Sequence, residues 1–274
     1  MRQRIEIARE AILSAGSLIR ETFGREISGQ VEEKDRNDFV TQSDWLSEKM
    51  ISETLLRSFP EIGILGEESA GRMDADEYWI IDPLDGTTNF IHGYPSIGLS
   101  VALVRENEVV LALVFDPLRE ELFEASRGGG AFCNEREIHV SGAGSLQESL
   151  LGTGFPFKAQ QHLEKYLESF KEIFSLCRGV RRAGAAVLDL SHVAAGRLDG
   201  FWELHLKPWD MAAGALLIRE AGGLVTDLFG GGSFISAGNI VAGNPSIHGK
   251  ILEITEQIFD REEVAELACD FIDI

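Results

Sequence analysis

The stretch Tyr78-Trp79-Ile80-Ile81-Asp82-Pro83-Leu84-Asp85-Gly86-Thr87-Thr88-Asn89-Phe90 begins as an apolar, aromatic and β-branched run of the buried-strand type. It stops at Asp82-Pro83, because proline lacks the backbone N–H that a sheet ladder needs. Asp85-Gly86-Thr87-Thr88 then suits the capped start of a helix. Strand, loop and helix N-terminus together bring N–H groups to one point, which makes an anion site. The same loop carries two carboxylates, Asp82 and Asp85, and two unit charges about 4 Å apart repel by roughly 4 kcal/mol at an effective dielectric near 20. A hard divalent cation with oxygen ligands removes that repulsion and attracts a phosphate from its other side. The stretch therefore reads as a metal-bridged phosphate site. Taken alone, an Asp-Pro turn with an ordinary helix cap reads it as well, so the remainder of the chain has to decide.

A chain of 274 residues buries a full core, as one large domain or two closely packed ones. Hydrophobic content of 44% and charged content of 26% belong to a globular protein. The apolar runs, such as 109–115, are far too short to cross a bilayer, and the first residues lack the apolar core of a secretory signal. Cys133, Cys177 and Cys269 are odd in number and far apart, which fits a reducing cytoplasm better than a disulfide framework. A formal charge of -20 argues against direct nucleic-acid binding, and the basic cluster Arg178, Arg181 and Arg182 reads as a solvated strand edge.

Working outward, Ile5, Ala8, Ile12, Ala15 and Ile19 predict an amphipathic helix over 2–23, ended by Gly24. A strand over 26–33 and a polar turn over 34–37 follow. Thr41 or Ser43 caps a second helix, with Leu46, Met50 and Leu55 on its inner face. Asp44 then lies in the first turn, where plain dipole and cap chemistry competes evenly with a functional role. A strand over 63–65 precedes the central stretch. Runs 96–104 and 108–115 form a hairpin turning at Glu106-Asn107, and 120–125 and 131–138 extend a mostly antiparallel sheet. The second half alternates: strand 149–153, a helix over 160–174 with Leu163, Leu167 and Phe170 inward, strand 180–182 and a buried helix over 185–195. Strand 201–203, a helix running from Pro208 to Glu220, strands 224–226 and 240–242, and a helix over 246–259 complete it. The acidic tail keeps helical spacing at Val264, Leu267, Ala268 and Phe271 and reads as a surface helix. The simplest architecture is two α/β parts sharing a cleft, 1–140 with most acidic residues of interest and 141–274 with the rest.

Glu67 follows a predicted strand, as Asp82 does, and Asp210 sits at a helix start in the other half. Each alone is ordinary, but four carboxylates converging on a cleft suffice to hold two or three magnesium ions. The combination of Gly66-Glu67-Glu68, the run 79–90, and Lys207-Pro208-Trp209-Asp210-Met211-Ala212-Ala213-Gly214 resembles the inositol monophosphatase family of magnesium-dependent, lithium-sensitive phosphomonoesterases. The similarity extends from Asp38-Phe39-Val40-Thr41 to Gly243-Asn244-Pro245 and looks closest to the bacterial branch, through Gly152-Thr153-Gly154-Phe155-Pro156-Phe157 and Arg197-Leu198-Asp199-Gly200-Phe201.

The resemblance implies an α/β fold of the α+β type, a five-layer αβαβα sandwich, in a homodimer. It implies one metal on Glu67, Asp82 and the Leu84 carbonyl, a second shared by Asp82, Asp85 and Asp210, and a weaker third near Glu67. Gly86 and Thr87 match phosphate-binding N–H groups. Thr87, partnered by Asp44, matches a threonine that orients the attacking water together with Glu67. Glu203 matches a glutamate that binds inositol hydroxyls, and Gly184-Ala185-Ala186 falls where the sugar-contacting loop lies. No role falls on His205, which reads as a partly exposed core-edge residue. Two departures stand out: Ala185 replaces a hydroxyl residue of many relatives, and a lysine near the metal loop falls at Lys34 with a one-residue slip. The implied activity is hydrolysis of myo-inositol monophosphate by a metal-activated water. Alternatives are fructose 1,6-bisphosphate, histidinol phosphate or 3′-phosphoadenosine 5′-phosphate as substrate, or an accessory role in a bacterial transcription complex.

Overall fold

The computed structural model describes the chain apart from residues 26–30, 36–37, 70–75, 157–159, 263 and 265–274, and apart from the side chains of 31–35 and 38–40. Ala8, Ala11, Ile12, Ala15 and Ile19 recur at helical spacing and bury one face of helix α1 (Arg2–Thr22). Strands β1 (Val31–Asp35) and β2 (Asp38–Thr41) pair antiparallel, so Lys34 and Asp35 belong to a strand rather than to the expected turn. Residues 26–30 of the expected strand and Arg36-Asn37 of that turn lie outside the described residues, as do Phe157, Leu267, Ala268, Cys269 and Phe271.

Helix α2 (Gln42–Ser58) leads to β3 (Gly63–Gly66), β4 (Glu77–Asp85) and the short α3 (Thr87–His92). Strands β5 (Gly98–Arg105), β6 (Glu108–Asp116), β7 (Glu121–Ser126), β8 (Ala131–Cys133) and β9 (Arg136–Glu137) follow. Among the described residues, β3 to β9 form one sheet in sequence order, with β3 and β4 parallel and every other neighbour antiparallel. Glu106 and Asn107 both have positive φ, as the tight β5–β6 hairpin demands.

The second sheet uses β10 (Leu150–Thr153), then, after α4 (Leu163–Leu176), β11 (Gly179–Arg181). Helix α5 (Ala186–Ala194) and β12 (Gly200–Leu204) precede α6 (Pro208–Glu220), β13 (Leu224–Thr226), α7 (Phe234–Ala237), β14 (Asn239–Gly243) and α8 (Pro245–Ile258). The strand order is β11-β10-β12-β14-β13.

Three apolar clusters stack these elements. Ala8, Ile12, Ile19, Ile51 and Leu55 of α1 and α2 pack on one face of the first sheet with Trp79, Ile81 and Leu113. Helices α5 and α6 fill the space between the sheets, Val187, Leu190, Met211 and Leu217 meeting Ile80, Ala112, Phe201 and Ala242. Tyr166 and Ile173 of α4 join Ile247, Ile251 and Ile254 of α8 under the far face of the second sheet, and Val264 is buried with them. The layers thus run α, β, α, β, α. No helix among the described residues is long and apolar enough to cross a membrane.

Two helix faces differ from the expected ones. In α2 the buried residues are Ser43, Asp44, Ser47, Glu48, Ile51 and Leu55, while Leu46 is 41% exposed. In α4 the buried face is Tyr166, Ser169 and Ile173, and Leu167 is exposed. The Tyr166 hydroxyl lies 2.9 Å from the Thr153 hydroxyl under the sheet, and Phe155 and Phe170 flank its ring, which fixes the rotation of the helix. Residues 160–162, expected as the first turn of that helix, form a separate 3-10 turn.

Candidate active site

Strand β4 does not stop at Asp82-Pro83 but runs on to Asp85. Asp82 pairs with Ser100 and Asp85 with Gly98, so β4 advances one residue more than β5 across Pro83-Leu84. Such a bulge accommodates the missing proline N–H. It also has a consequence for side-chain direction. Residues an odd number apart on a regular strand face opposite sides, and one extra residue returns them to the same side. Asp82 and Asp85 are thereby brought together.

The turn into α3 is made by Gly86, at φ 89° and ψ 37°, where a Cβ would stand 2.8 Å from the Ser96 carbonyl oxygen. No side chain caps this helix, contrary to the expected Asp or Thr cap. Both candidates are engaged elsewhere: Asp85 Oδ2 accepts from Val187 N–H at 2.8 Å, and the Thr87 hydroxyl lies 3.2 Å from both Asp44 Oδ1 and the Leu84 carbonyl oxygen.

Carboxylate oxygens of Asp82, Asp85 and Asp210 lie within 4.8 Å of one another. Asp82 is fully buried; its Oδ1 accepts from Leu84 N–H at 3.0 Å, and its Oδ2 has no hydrogen-bond partner. Burial first, then the charges of Glu67, Asp85 and Asp210, hold its carboxyl well above the usual range. Asp85 is raised likewise, by burial and then by Asp210. An orphaned buried carboxylate oxygen among three gathered acids is an unfavourable arrangement for a bare protein. Hard, anionic oxygen donors of this kind fit a magnesium-type ion. Glu67, in the loop after β3, stands close enough to raise Asp82 but is not one of the three gathered groups. Its backbone N–H reaches the Ile81 carbonyl at 3.2 Å.

The second half of the chain supplies the opposite wall. Asp210 occupies the first turn of α6, where its Oδ2 accepts from Lys207 N–H at 2.7 Å, and the Ser100 hydroxyl ties the adjoining Trp209 carbonyl to β5 at 2.9 Å. Glu203 on β12 lies against Gly154; burial raises its carboxyl well above the usual range, opposed by the charge of Arg182 and reinforced by Asp210. Gly184 and Ala185 form the approach to α5, and the Asn89 amide pins that loop to α3 by donating to the carbonyls of Ser96, Ala183 and Gly184 at 2.7, 2.9 and 3.2 Å. His205 is half-buried at positive φ, in keeping with the core-edge position read from sequence. The side chain of Lys34 lies outside the described residues.

Thr41 caps α2, and Asp44 closes the capping box: its Oδ2 accepts from the backbone N–H and the hydroxyl of Thr41 at 2.9 and 2.6 Å. Burial pushes the Asp44 carboxyl up to about 6 against these bonds. Sequence reasoning missed Ser47 and Glu48 beside it, and Asp189 of α5, which is 3% exposed. Their signal was available: positions three and four after Asp44 share its helix face, as Asp189 shares that of Ala185.

The sequence model described as "Inositol monophosphatase family" matches residues 1–259. The protein named "Nus factor SuhB" of Pseudomonas aeruginosa is 49% identical over 250 residues, covering 89% of this chain and 92% of that protein. "Inositol-1-monophosphatase" of Rhizobium meliloti is 46% identical over 250 residues, covering 90% and 94%. Among solved structures, the "extragenic suppressor protein suhB" of Bartonella henselae superposes with a TM-score of 0.89 at 40% identity, covering 93% of this chain and 99% of that one.

Proposed function

This chain belongs to the inositol monophosphatase family, and from that premise we propose that it hydrolyses myo-inositol monophosphate to inositol and phosphate with the help of two or three magnesium ions. It is a phosphoric monoester hydrolase. The observation that carries the metal requirement is the gathering of Asp82, Asp85 and Asp210 with one buried oxygen of Asp82 unbonded.

Glu67, Asp82 and the Leu84 carbonyl hold one ion in this reading, and Asp82, Asp85 and Asp210 a second. Bound divalent ions supply positive charge and Lewis acidity toward a phosphoryl group and its attacking water. The protein's own part is positional. Asp44 accepts from the Thr87 hydroxyl and so leaves the Thr87 oxygen lone pairs to accept a hydrogen bond from water, which Glu67 orients from the other side. Gly86 and Thr87 offer backbone N–H groups to the phosphate oxygens, where charge grows in the transition state. Glu203 accepts from hydroxyls of the polyol, with Gly184 and Ala185 beside it. No side chain is asked to form a covalent intermediate.

The finer statements belong to the same proposal. The protein works in the cytoplasm, as a homodimer, for which the outward Leu167 and Phe174 of α4, seven residues apart, offer an apolar face. A second reading, as an accessory protein of a transcription complex, is favoured by relatives named Nus factor SuhB. It does not exclude catalysis.

The test is a panel of myo-inositol 1-phosphate, fructose 1,6-bisphosphate, histidinol phosphate and 3′-phosphoadenosine 5′-phosphate, each titrated with magnesium and then lithium. Expected are magnesium-dependent turnover, highest kcat/KM for the inositol ester, and inhibition by lithium displacing the more weakly held ion. A tenfold preference for another ester overturns the substrate; turnover indifferent to magnesium overturns the mechanism.

A further inference from the structure

Helix α2 turns an unusual face inward. Ile51 and Leu55 anchor its second half in the apolar cluster, but the buried positions of its first half are Ser43, Asp44, Ser47 and Glu48. Glu48 is 4% exposed, and its Oε2 accepts from Glu68 N–H at 2.8 Å. Its carboxyl group also fills the space beside Gly66: a Cβ there would lie 2.6 to 2.7 Å from the carboxyl carbon and oxygens. Gly66 and Glu68 are the two chain neighbours of Glu67. One step back, the Ser47 hydroxyl is buried and donates to the Pro83 carbonyl at 2.8 Å. Pro83 stands between Asp82 and Leu84 in the bulge.

A buried carboxylate in a region already crowded with acids costs stability relative to an apolar side chain of similar volume. Local rules are broken in this way where a site needs it. Among the described residues, these two hydrogen bonds end on backbone atoms next to residues assigned to the first metal. We propose that Ser47 and Glu48 are positioning residues for that metal: a single turn of α2 holds the backbone on both sides of Glu67 and in the middle of the bulge, so that the Glu67 carboxylate and the Leu84 carbonyl arrive preset. This rests on the metal reading given above. Partners that aim metal ligands contribute about 10–100-fold to metal affinity or activity.

The experiment measures magnesium binding without substrate by calorimetry, beside the melting temperature of the metal-free protein, for wild type, Ser47→Ala, Glu48→Ala and Glu48→Gln. Glutamine keeps a side-chain oxygen to accept from Glu68 N–H, so it should stay within about threefold of wild type. Glu48→Ala should weaken the tightest magnesium site by about 10–100-fold, and Ser47→Ala by about tenfold, with metal-free melting temperatures close to wild type. At saturating magnesium the KM for inositol phosphate should not move. A magnesium affinity within threefold of wild type in both alanine variants overturns the proposal while leaving the metal site standing. Glutamine as weak as alanine overturns it too, since charge rather than the hydrogen bond would then matter. Wild type that binds no magnesium would instead sink the metal reading itself. Should Glu48→Ala fail to fold, Ser47→Ala and Glu48→Gln decide on the same criteria.

Discussion

Asp44 and Asp210 begin alike. Each stands three residues after the N-cap of a helix, and each accepts a hydrogen bond from the backbone N–H of that N-cap residue, Thr41 at 2.9 Å and Lys207 at 2.7 Å. Their fates diverge because of what surrounds them. Thr41 has a hydroxyl that completes the box, and Thr87 takes the second oxygen of Asp44, so this carboxylate is spent on hydrogen bonds. Lysine at the other N-cap has donors only and cannot complete a box. Asp210 instead turns toward Asp82 and Asp85. The same capping position thus yields a strut in one half of the site and a member of the gathered acidic cluster in the other, and the partner across the fold makes the difference.

The largest expected effect breaks or confirms that distinction. Asp210→Asn should lower magnesium-dependent kcat/KM by about 10³-fold, since on the proposed reading it removes one of the gathered charges that hold the cations neutralising transition-state charge. Asp44→Asn should cost about 10–100-fold and leave magnesium affinity nearly unchanged, because it disturbs the bonds to Thr87 and Thr41 but removes none of the gathered carboxylates. Equal losses of activity and of metal affinity in the two variants would erase the contrast.

How far each fate was legible in the sequence follows the same line. The cap of α2, read as Thr41 or Ser43 and made by Thr41, the hairpin at Glu106-Asn107 and the apolar spacing of α1 depend on neighbours within a few residues, and these features are found. The site acids were legible because their spacing resembles a family pattern, and three of them do meet. What local sequence could not give was the bulge in β4, since it exists only in relation to the register of β5. Nor could apolar patterning find the inner face of α2. Leu46 matched a hydrophobic stripe, yet the site lies against the neighbouring polar stripe, and the helix is rotated to serve it. The rotation of α4 has the same origin, in a bond between Tyr166 and Thr153 that no spacing rule contains.

A second expectation concerns the cluster to which Asp210 belongs. Asp82 and Asp85 have folded pKa values above their unfolded ones, so the metal-free folded chain holds protons that the unfolded chain has released. Their contribution is present below the ordinary carboxylate range and is lost as pH rises above it. Metal-free melting temperature should therefore fall as pH rises from about 5 to 8, the unfolded reference lying near 4. Magnesium at 100 times its dissociation constant should add about 2.7 kcal/mol, or roughly 5–10 °C for a chain of this size, most clearly at the upper end of that range. A melting temperature blind to magnesium at pH 8 would remove Asp210 from the ligands and return it to plain cap chemistry.

The smallest effect tests another acid, a buried one, that shares neither fate. Asp189 is 3% exposed, accepts no hydrogen bond from any described residue, and is not among the gathered carboxylates. Burial pushes its carboxyl up to about 7, with the charge of Arg182 opposing. Its folded pKa exceeds its unfolded one, so its contribution to stability is complete below about pH 4 and is lost as pH rises through about 7. Asp189→Asn is neutral throughout and carries no such penalty. The melting temperature of the variant relative to wild type should climb between these limits and level off above them, reaching several degrees at pH 8 at roughly 2–4 °C per kcal/mol. A difference that stays flat from pH 5 to 8 would mean that Asp189 is already ionised and paired in the folded chain, a strut after all, like Asp44 and Glu48.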